Sequence, residues 1–361
     1  MKIGLVRRGH SATGGAEAYL IRLAAAVAAA GHDPVLITGP EWPKERWIGR
    51  PIVRLAGRSP EDFAAAFLAA ETGCDIHLSL ERVPGCDVFR AGDGVHAAWL
   101  KRRAGFEPLW KRATRWLNPK HKQLLALESQ VFDPAATRAI IANSELVRQE
   151  ILAHSAFPPG RVHVVYNGLS SPTLPADREE SRRALGVGSD SFCAAFVGSG
   201  WDRKGLRTAI DAVEMMEDAE LLVAGRGPAD AFRSDRARFL GPTNALGTVF
   251  GAADVFVLPT YYDPFSNACL EALAAGLPVV TTPANGFSEI LTPGTHGGIV
   301  PEGDALALAD ELESWRPAAA REASRQARLD RAAEFSIERN ARETLAVLEQ
   351  VIGSTNAPPS R

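Results

Sequence analysis

The sequence predicts an α/β protein made of two doubly wound domains that face each other across a cleft. Three observations carry that prediction. Short apolar strands alternate with helices through both halves, the order that builds parallel sheets covered by helices. The chain has 361 residues, enough for two separate cores. The alternation breaks once, at the proline- and serine-containing, then charged, stretch SSPTLPADREESRR, and restarts at Cys193. That stretch reads as the linker, with one domain over residues 1–170 and the other over 171–339.

In the first half, Lys2–Arg8 reads as a strand, Ser11–Gly15 as a polar loop and Ala16–Ala30 as an alanine-rich helix ended by Gly31. Pro34–Thr38 is the next strand. Gly14 and Gly15 lie at the first turn of this β-α-β unit, where a bare backbone can approach an anion at a helix N-terminus. A plain tight turn accounts for the pair equally well. The pattern is not G-x-G-x-x-G, and no acidic residue stands where a dinucleotide ribose would need it. Strands follow at Ile52–Leu55, Cys74–Leu80 and Asp87–Arg90, with a helix near Pro60–Ala70. After the last of them, Ala91-Gly92-Asp93-Gly94-Val95-His96 places a carboxylate and an imidazole at a strand end. Either can serve a reaction centre. The bland alternatives are a helix-capping Asp93 and a surface His96. A helix at Gln123–Phe132, a strand at Ala139–Ala142, a helix at Glu145–His154 behind Asn143-Ser144, and a strand at Val162–Val165 complete this half.

Cys193–Val197 opens the second half, and Gly198-Ser199-Gly200 leads to Arg203-Lys204-Gly205 at a helix start. Two cations there suit a diphosphate. Leu221–Ala224 with Gly225, and Arg238–Leu240 with Gly241, are the next strands and turns, and Leu246–Ala253 is a short helix. The most informative stretch is PTYYDPFSNACLEALAAGLPVVTT, Pro259 to Thr282. The apolar run Val255–Leu258 stops at Pro259, and Asp263-Pro264 turns the chain. Ser266 and Asn267 cap a helix over Ala268–Ala275, Gly276 ends it, and Pro278 opens the strand Val279–Thr282. Asp263 therefore lies in a loop at the carboxyl end of a strand, and Glu271 lies in the first turns of the following helix. Open parallel sheets bind ligands at that end. Free amides at Ser266–Ala268, beside Phe265, favour a diphosphate. One carboxylate can then accept hydroxyl hydrogen bonds from a sugar and the other from a ribose. This is a nucleotide-sugar site in outline. Further on, Asn285 caps another helix, Gly298–Val300 is a last strand, and helices fill 303–352.

The net charge of −3 gives no global attraction to nucleic acid, so none is expected as a partner. Cys74, Cys86, Cys193 and Cys269 have no metal or redox spacing and read as reduced core thiols of a cytoplasmic protein. MKIGLVRRGH reads as a strand rather than a signal peptide, and no apolar run reaches the roughly 20 residues of a membrane helix. One segment departs from the average. Between Trp99 and Lys122 stand Lys101, Arg102, Arg103, Lys111, Arg112, Arg115, Lys120 and Lys122 against the single acid Glu107. Trp99, Phe106, Trp110 and Trp116 are interleaved with them. Cations beside tryptophans suit an anionic bilayer surface or a phosphorylated glycolipid. Single-stranded nucleic acid could use the same chemistry, and a solvated helical hairpin packed through its aromatics is the bland alternative.

The stretch from Asp263 to Glu271 resembles the acidic–x7–acidic signature of the family 4 retaining glycosyltransferases, whose members usually carry Glu at both positions. Here the first is Asp263, one methylene shorter. The resemblance covers the whole chain, with stronger motifs in the second half, and implies the two Rossmann-like domains of the GT-B architecture. It implies a hexosyltransferase that retains anomeric configuration, needs no metal or prosthetic group, and uses a UDP-sugar co-substrate. In family terms, Arg203 and Lys204 contact the donor phosphates, the nucleobase is read near Gly225 and Leu240, Asp263 orients sugar hydroxyls and Glu271 the ribose. Asp93 best matches the catalytic-centre residue of the first domain, with His96 as the second choice. The final helix, about 340–355, is expected to pack back on the first domain. Within the family the likeness runs to glucosyltransferases of the lipopolysaccharide core, which implies UDP-glucose, an inner-core heptose acceptor and peripheral attachment to the cytoplasmic face of the inner membrane. Trp99, Lys101, Arg102, Arg103, Trp110, Lys111, Arg112, Arg115 and Trp116 would then face membrane or acceptor. A UDP-sugar 2-epimerase on the same architecture, or a non-enzymatic module binding anionic lipid or nucleic acid, are the rival readings. The first leaves the basic aromatic segment without a role, and the second leaves Asp263, Glu271, Arg203 and Lys204 without one.

Overall fold

The computed structural model describes residues 1–9, 15–47, 49–57, 59–106 and 118–356. The chain divides into two compact units, one of Met1–Ser170 with Ile337–Arg361 and one of Ser171–Ser336.

The first unit is built from β1 (Lys2–Val6), α1 (Gly15–Ala29), β2 (Asp33–Thr38), β3 (Ile52–Arg54), α2 (Pro60–Ala69), β4 (Ile76–Ser79) and β5 (Val88–Ala91). It continues with α3 (His96–Arg103), α4 (Pro119–Val131), β6 (Ala139–Ala142), α5 (Glu145–His154) and β7 (Val162–Val164). Its 7-stranded sheet has the order β3-β2-β1-β4-β5-β6-β7. Every pairing is parallel, as the near-continuous apolar runs of these strands require. The helix starts are locally encoded. Ser59 and Asp62 form a capping box ahead of α2, with Pro60 in its first turn, and Ser144 accepts the Val147 amide at 3.2 Å ahead of α5. The helix expected from Gln123 begins earlier, at Pro119, because Asn118 caps it by accepting the Lys120 amide at 3.0 Å.

The second unit contains α6 (Arg178–Leu185), β8 (Phe192–Val197), α7 (Leu206–Glu214), β9 (Ala219–Ala224), β10 (Ala237–Gly241), α8 (Leu246–Ala252), β11 (Val255–Leu258) and α9 (Asn267–Ala274). After these come β12 (Val279–Thr281), β13 (Gly297–Ile299), α10 (Ala305–Ser314), α11 (Ala318–Ala323) and α12 (Arg325–Ala333). The 6-stranded parallel sheet has the order β10-β9-β8-β11-β12-β13, repeating the arrangement of the first. In each sheet the order reverses between the first and fourth strand of the unit, β1/β4 and β8/β11, which is the switch point where a crevice opens. The stretch read as linker is only partly one. Asp177 accepts the Glu180 amide at 2.9 Å and Gly186 closes α6 in a left-handed conformation, so its charged half is a helix of this unit.

The last helix, α13 (Ile337–Asn356), belongs to the first unit. Its Ile337, Ala341, Leu345, Leu348 and Val351 share one core cluster with Leu20, Leu23 and Val27 of α1. Asn340 accepts from the Tyr19 hydroxyl at 2.8 Å and donates to the Tyr166 carbonyl at 2.6 Å, which fixes the helix in register. Among the described residues, no helix is long and apolar enough to cross a membrane.

Candidate functional site

In the second unit, the loops leaving the carboxyl ends of β8 and β11 meet, because these two strands are direct neighbours through Val255 and Ala194. Gly205, with φ of 74°, caps α7 there, and a side chain on it would collide with the Pro259 carbonyl oxygen. The close approach brings the cations onto Asp263. Lys204 Nζ stands 3.0 Å from Asp263 Oδ2, and Arg203 Nη1 stands 3.8 Å from the same oxygen. The Lys204 and Asp263 side chains are 12% and 10% exposed, so this is a nearly buried pair at the floor of the site. Arg203 also donates to the Tyr262 carbonyl at 2.5 Å, while its own carbonyl accepts from Tyr261 N and Thr260 Oγ1, both at 2.9 Å. The two loops are thus stitched together by backbone as well as by charge. Asp263 Oδ1 receives no hydrogen bond among the described residues.

The N-terminus of α9 differs from the sequence expectation in one respect. Ser266 is the N-cap and accepts the Cys269 amide at 3.3 Å, but its own amide donates to Asn285 Oδ1 at 3.2 Å and is therefore not free for an anion. Asn285 is fully buried. Its Oδ1 also takes the Phe287 amide, and its Nδ2 donates to Thr281 Oγ1 at 3.0 Å and to Cys269 Sγ at 3.4 Å. The backbone on either side ties the same loops, with Asp263 N donating to the Ala284 carbonyl and Gly286 N to the Asp263 carbonyl. Asn285 therefore locks the Asp263 loop to β12. Sequence reading found it only as a helix cap, which it also is for the 3-10 turn Gly286–Ile290. Phe265 is buried edge-on against Phe287, 5.7 Å between ring centres, and shapes the floor. Asn267 opens α9 and Glu271 lies half-buried further along it. Burial pushes the Cys269 thiol up to about 12, so it is an inert packing group. Gly225 and Leu240, at the ends of β9 and β10, stand on the same carboxyl edge of the sheet.

The sequence-selected residues of the first unit stand on its own carboxyl edge. Asp93 is exposed in the turn after β5 and caps nothing, since the N-cap of α3 is Val95, which makes no side-chain cap bond. A small cavity of about 130 Å³ is lined there by Arg8, Glu81, Arg82 and Asp93 over Phe63 and Leu127. Burial pushes the Glu81 carboxyl up from its ordinary value, with Asp93 adding to the effect. The amides opening α3 are filled from another helix. Glu128 of α4 accepts His96 N at 2.6 Å and Ala97 N at 3.0 Å, and binds Arg82 at 2.9 Å. His96 is accordingly not a surface residue. Its Nε2 lies 3.1 Å from His121 Nδ1, and burial together with Arg82 lowers it to about 4, so the ring is neutral near pH 7. Glu128 and Arg82 were invisible to motif reading, and the only signal was one carboxylate inside the apolar run LLALESQV.

Of the glycine pair, Gly15 begins α1, and Gly14 lies outside the described residues. Of the basic segment, Lys101 is exposed on α3, Arg102 pairs with Glu150 at 3.1 Å, and Arg103 lies 5.9 Å over the Trp99 ring. Trp110, Lys111, Arg112, Arg115 and Trp116 lie outside the described residues. Among the described residues, no group of three or more His, Cys, Asp or Glu could hold a metal ion.

Residues 13–171 match the family model Glycosyltransferase Family 4, and residues 192–315 match Glycosyl transferases group 1. The D-inositol 3-phosphate glycosyltransferase of Mycolicibacterium vanbaalenii is 30% identical over 294 residues, covering 68% of this chain and 64% of that protein. The protein of the same name from Mycobacterium tuberculosis is 31% identical over 255 residues, covering 65% of this chain and 52% of its own. The chain therefore spans between 52% and 64% of the length of these relatives. Among solved structures, WaaG, a glycosyltransferase involved in lipopolysaccharide biosynthesis, superposes with a TM-score of 0.77 at 20% identity, over 96% of this chain and 99% of WaaG. HepE of Anabaena in complex with UDP-glucose superposes with a TM-score of 0.72 at 17% identity, over 98% and 99% of the two chains. Both structures share the fold.

Proposed function

We propose, for a chain that belongs to the family 4 glycosyltransferases, that it transfers a hexose, glucose, from a UDP-sugar to a hydroxyl of a membrane glycolipid such as the inner-core heptose of lipopolysaccharide. The observation that carries the donor half is the convergence of Arg203, Lys204 and Asp263 at the β8/β11 switch point. Fixed cations in a largely water-excluded floor stabilise the charge that develops on a departing diphosphate, with no reorganisation at the moment of reaction. On this reading the bond from the anomeric carbon to the diphosphate oxygen breaks, and the acceptor oxygen bonds to the same face of that carbon. The acceptor proton leaves with the diphosphate. Asp263 Oδ1 orients sugar hydroxyls, Glu271 accepts from the ribose, and Gly225 and Leu240 offer backbone to the nucleobase. Arg203 and Lys204 take the part a divalent cation plays elsewhere, so activity is expected to persist in a chelator. Asp93 is assigned to the acceptor side of the reaction. His96, neutral and bound to His121, is better suited to holding α3 than to proton transfer.

A second acceptor reading rests on the mycobacterial relatives, which are D-inositol 3-phosphate glycosyltransferases. The glycolipid reading rests on the tryptophan-flanked cations of α3, with Lys101 exposed. UDP release is to be measured with UDP- and GDP-sugars, alone and with either extracted lipopolysaccharide core or D-inositol 3-phosphate. Stimulation by the lipid acceptor supports the first reading and stimulation by the inositol phosphate the second. Silence across the panel, with UDP binding equal in wild type and Lys204→Met, would overturn the donor site itself.

A further inference from the structure

The amino edge of the second unit's sheet carries a concentration of arginine that the donor site does not use. A cavity of about 330 Å³ opens where β11 and β12 begin, and Arg178, Arg321, Arg325 and Arg328 line it together with Asp254 and Glu322. Asp254 is already saturated. Its Oδ1 receives Arg178 at 2.7 Å and Arg321 at 2.9 Å, and its Oδ2 receives Arg182 and the Cys193 amide, both at 2.8 Å. Arg328, buried at 1% exposure, spends its donors on the Gly276 carbonyl at 2.7 Å, on Ser324 Oγ at 2.8 Å and on the carbonyls of Thr295 and Arg321. Arg325 is different. Its guanidinium lies over Gly276, where the missing side chain leaves room for it, and it makes no hydrogen bond or ion pair among the described residues. Four lining cations face two carboxylates, a surplus of two positive charges in a concave site. Burial, with a smaller contribution from the neighbouring arginines, holds Arg321 below its usual range and Arg328 at about 10.

We propose that this cavity binds a small phosphorylated anion, held by Arg325 and Arg178 at its mouth. Arginine forks match phosphate oxygens two at a time, and the volume sits at the low end of ligand pockets, enough for a phosphate ester. The site is distinct from the donor site. The two lie at opposite ends of β11, four residues long, hence about 13 Å apart at roughly 3.3 Å per residue. The Asp263 loop is tied to it at both ends, since β11 starts beside Asp254 and the end of α9 is held through Gly276.

The test is isothermal titration of the full chain with inorganic phosphate at constant ionic strength. Three variants accompany the wild type. Binding should survive Lys204→Met, weaken at least about tenfold in Arg325→Ala through loss of a charge-assisted contact, and tighten in Glu322→Gln. Among the described residues the Arg325 side chain makes no hydrogen bond or ion pair, so its alanine variant should melt with the wild type. Sedimentation with phosphatidylglycerol vesicles separates the sources. Arg325-dependent binding to vesicles assigns the anion to a lipid headgroup, and Arg325-dependent binding in solution alone assigns it to a free phosphate ester. Affinity unchanged in Arg325→Ala, or lost only in Lys204→Met, would overturn the proposal. The second outcome leaves the donor site standing, and the first says nothing against it.

Discussion

Replacing Lys204 by Met isolates the charge at the centre of the candidate site while keeping a stem of similar length. At 3.0 Å, the Lys204–Asp263 attraction is about 5 kcal/mol at an effective dielectric constant of roughly 20. Desolvation of two side chains only 12% and 10% exposed takes back most of it. Breaking a buried pair usually costs about 3–5 kcal/mol, but Arg203, 3.8 Å from the same oxygen, keeps Asp263 partly compensated. Lys204→Met should therefore destabilise the second unit by about 2–3 kcal/mol, and Asp263→Asn by a similar amount. The double variant should fall short of their sum by about 1–3 kcal/mol, the signature of a direct interaction. Urea unfolding of the four proteins can be followed by tryptophan fluorescence, to which Trp201, buried in the same loop, contributes. UDP affinity of Lys204→Met should fall at least about tenfold. Additivity within about 0.5 kcal/mol would refute the reasoning, because it would mean the two charges do not feel each other.

Gly205→Ala places a Cβ against the Pro259 carbonyl at a φ of 74°, and should destabilise by about 3 kcal/mol or more in the same unfolding assay, with weaker UDP binding as the β8 and β11 loops separate. Glu128→Gln weakens the cap of α3 and leaves the Arg82 guanidinium without its counter-charge, and a loss of about 3 kcal/mol in the first unit is expected by urea unfolding. His96 is held at about 4 against an ordinary 6.5, so its contribution is complete above pH 6.5 and disappears as pH falls towards 4. His77 behaves oppositely: burial works against its charge, but hydrogen bonding to Asp87 and Cys74 prevails and raises it to about 9. Its contribution is complete below pH 6.5 and is lost as pH rises through 9. Thermal melts across pH should show both limbs, with His96→Asn flattening the acid side and His77→Asn the alkaline side. Leu348→Ala, fully buried between α13 and the first sheet, should cost about 2–5 kcal/mol and lower the melting temperature.

Much of this protein is written in local sequence. Alternating strands and helices, each apolar run ended by a turn residue, specify two doubly wound units, because secondary structure and capping depend on near neighbours. The same holds for the places of Arg203, Lys204, Asp263 and Glu271 on loops and helix starts at strand ends. Some local signals were present but outweighed. Asn118-Pro119 marked the start of α4, and Asp177 with Glu180 marked α6 inside a stretch whose prolines suggested a linker. Other features had no local signal. That Lys204 reaches Asp263, 59 residues away, depends on β8 and β11 being neighbours at the switch point. That the Ser266 amide is taken by Asn285, that Glu128 fills the start of α3, and that three arginines converge on Asp254 follow from packing between distant segments. Spacing along a chain sets which side chains can share a helix face or a loop. Which charges meet across 30 to 80 residues is decided only when the sheets close and water leaves the space between them.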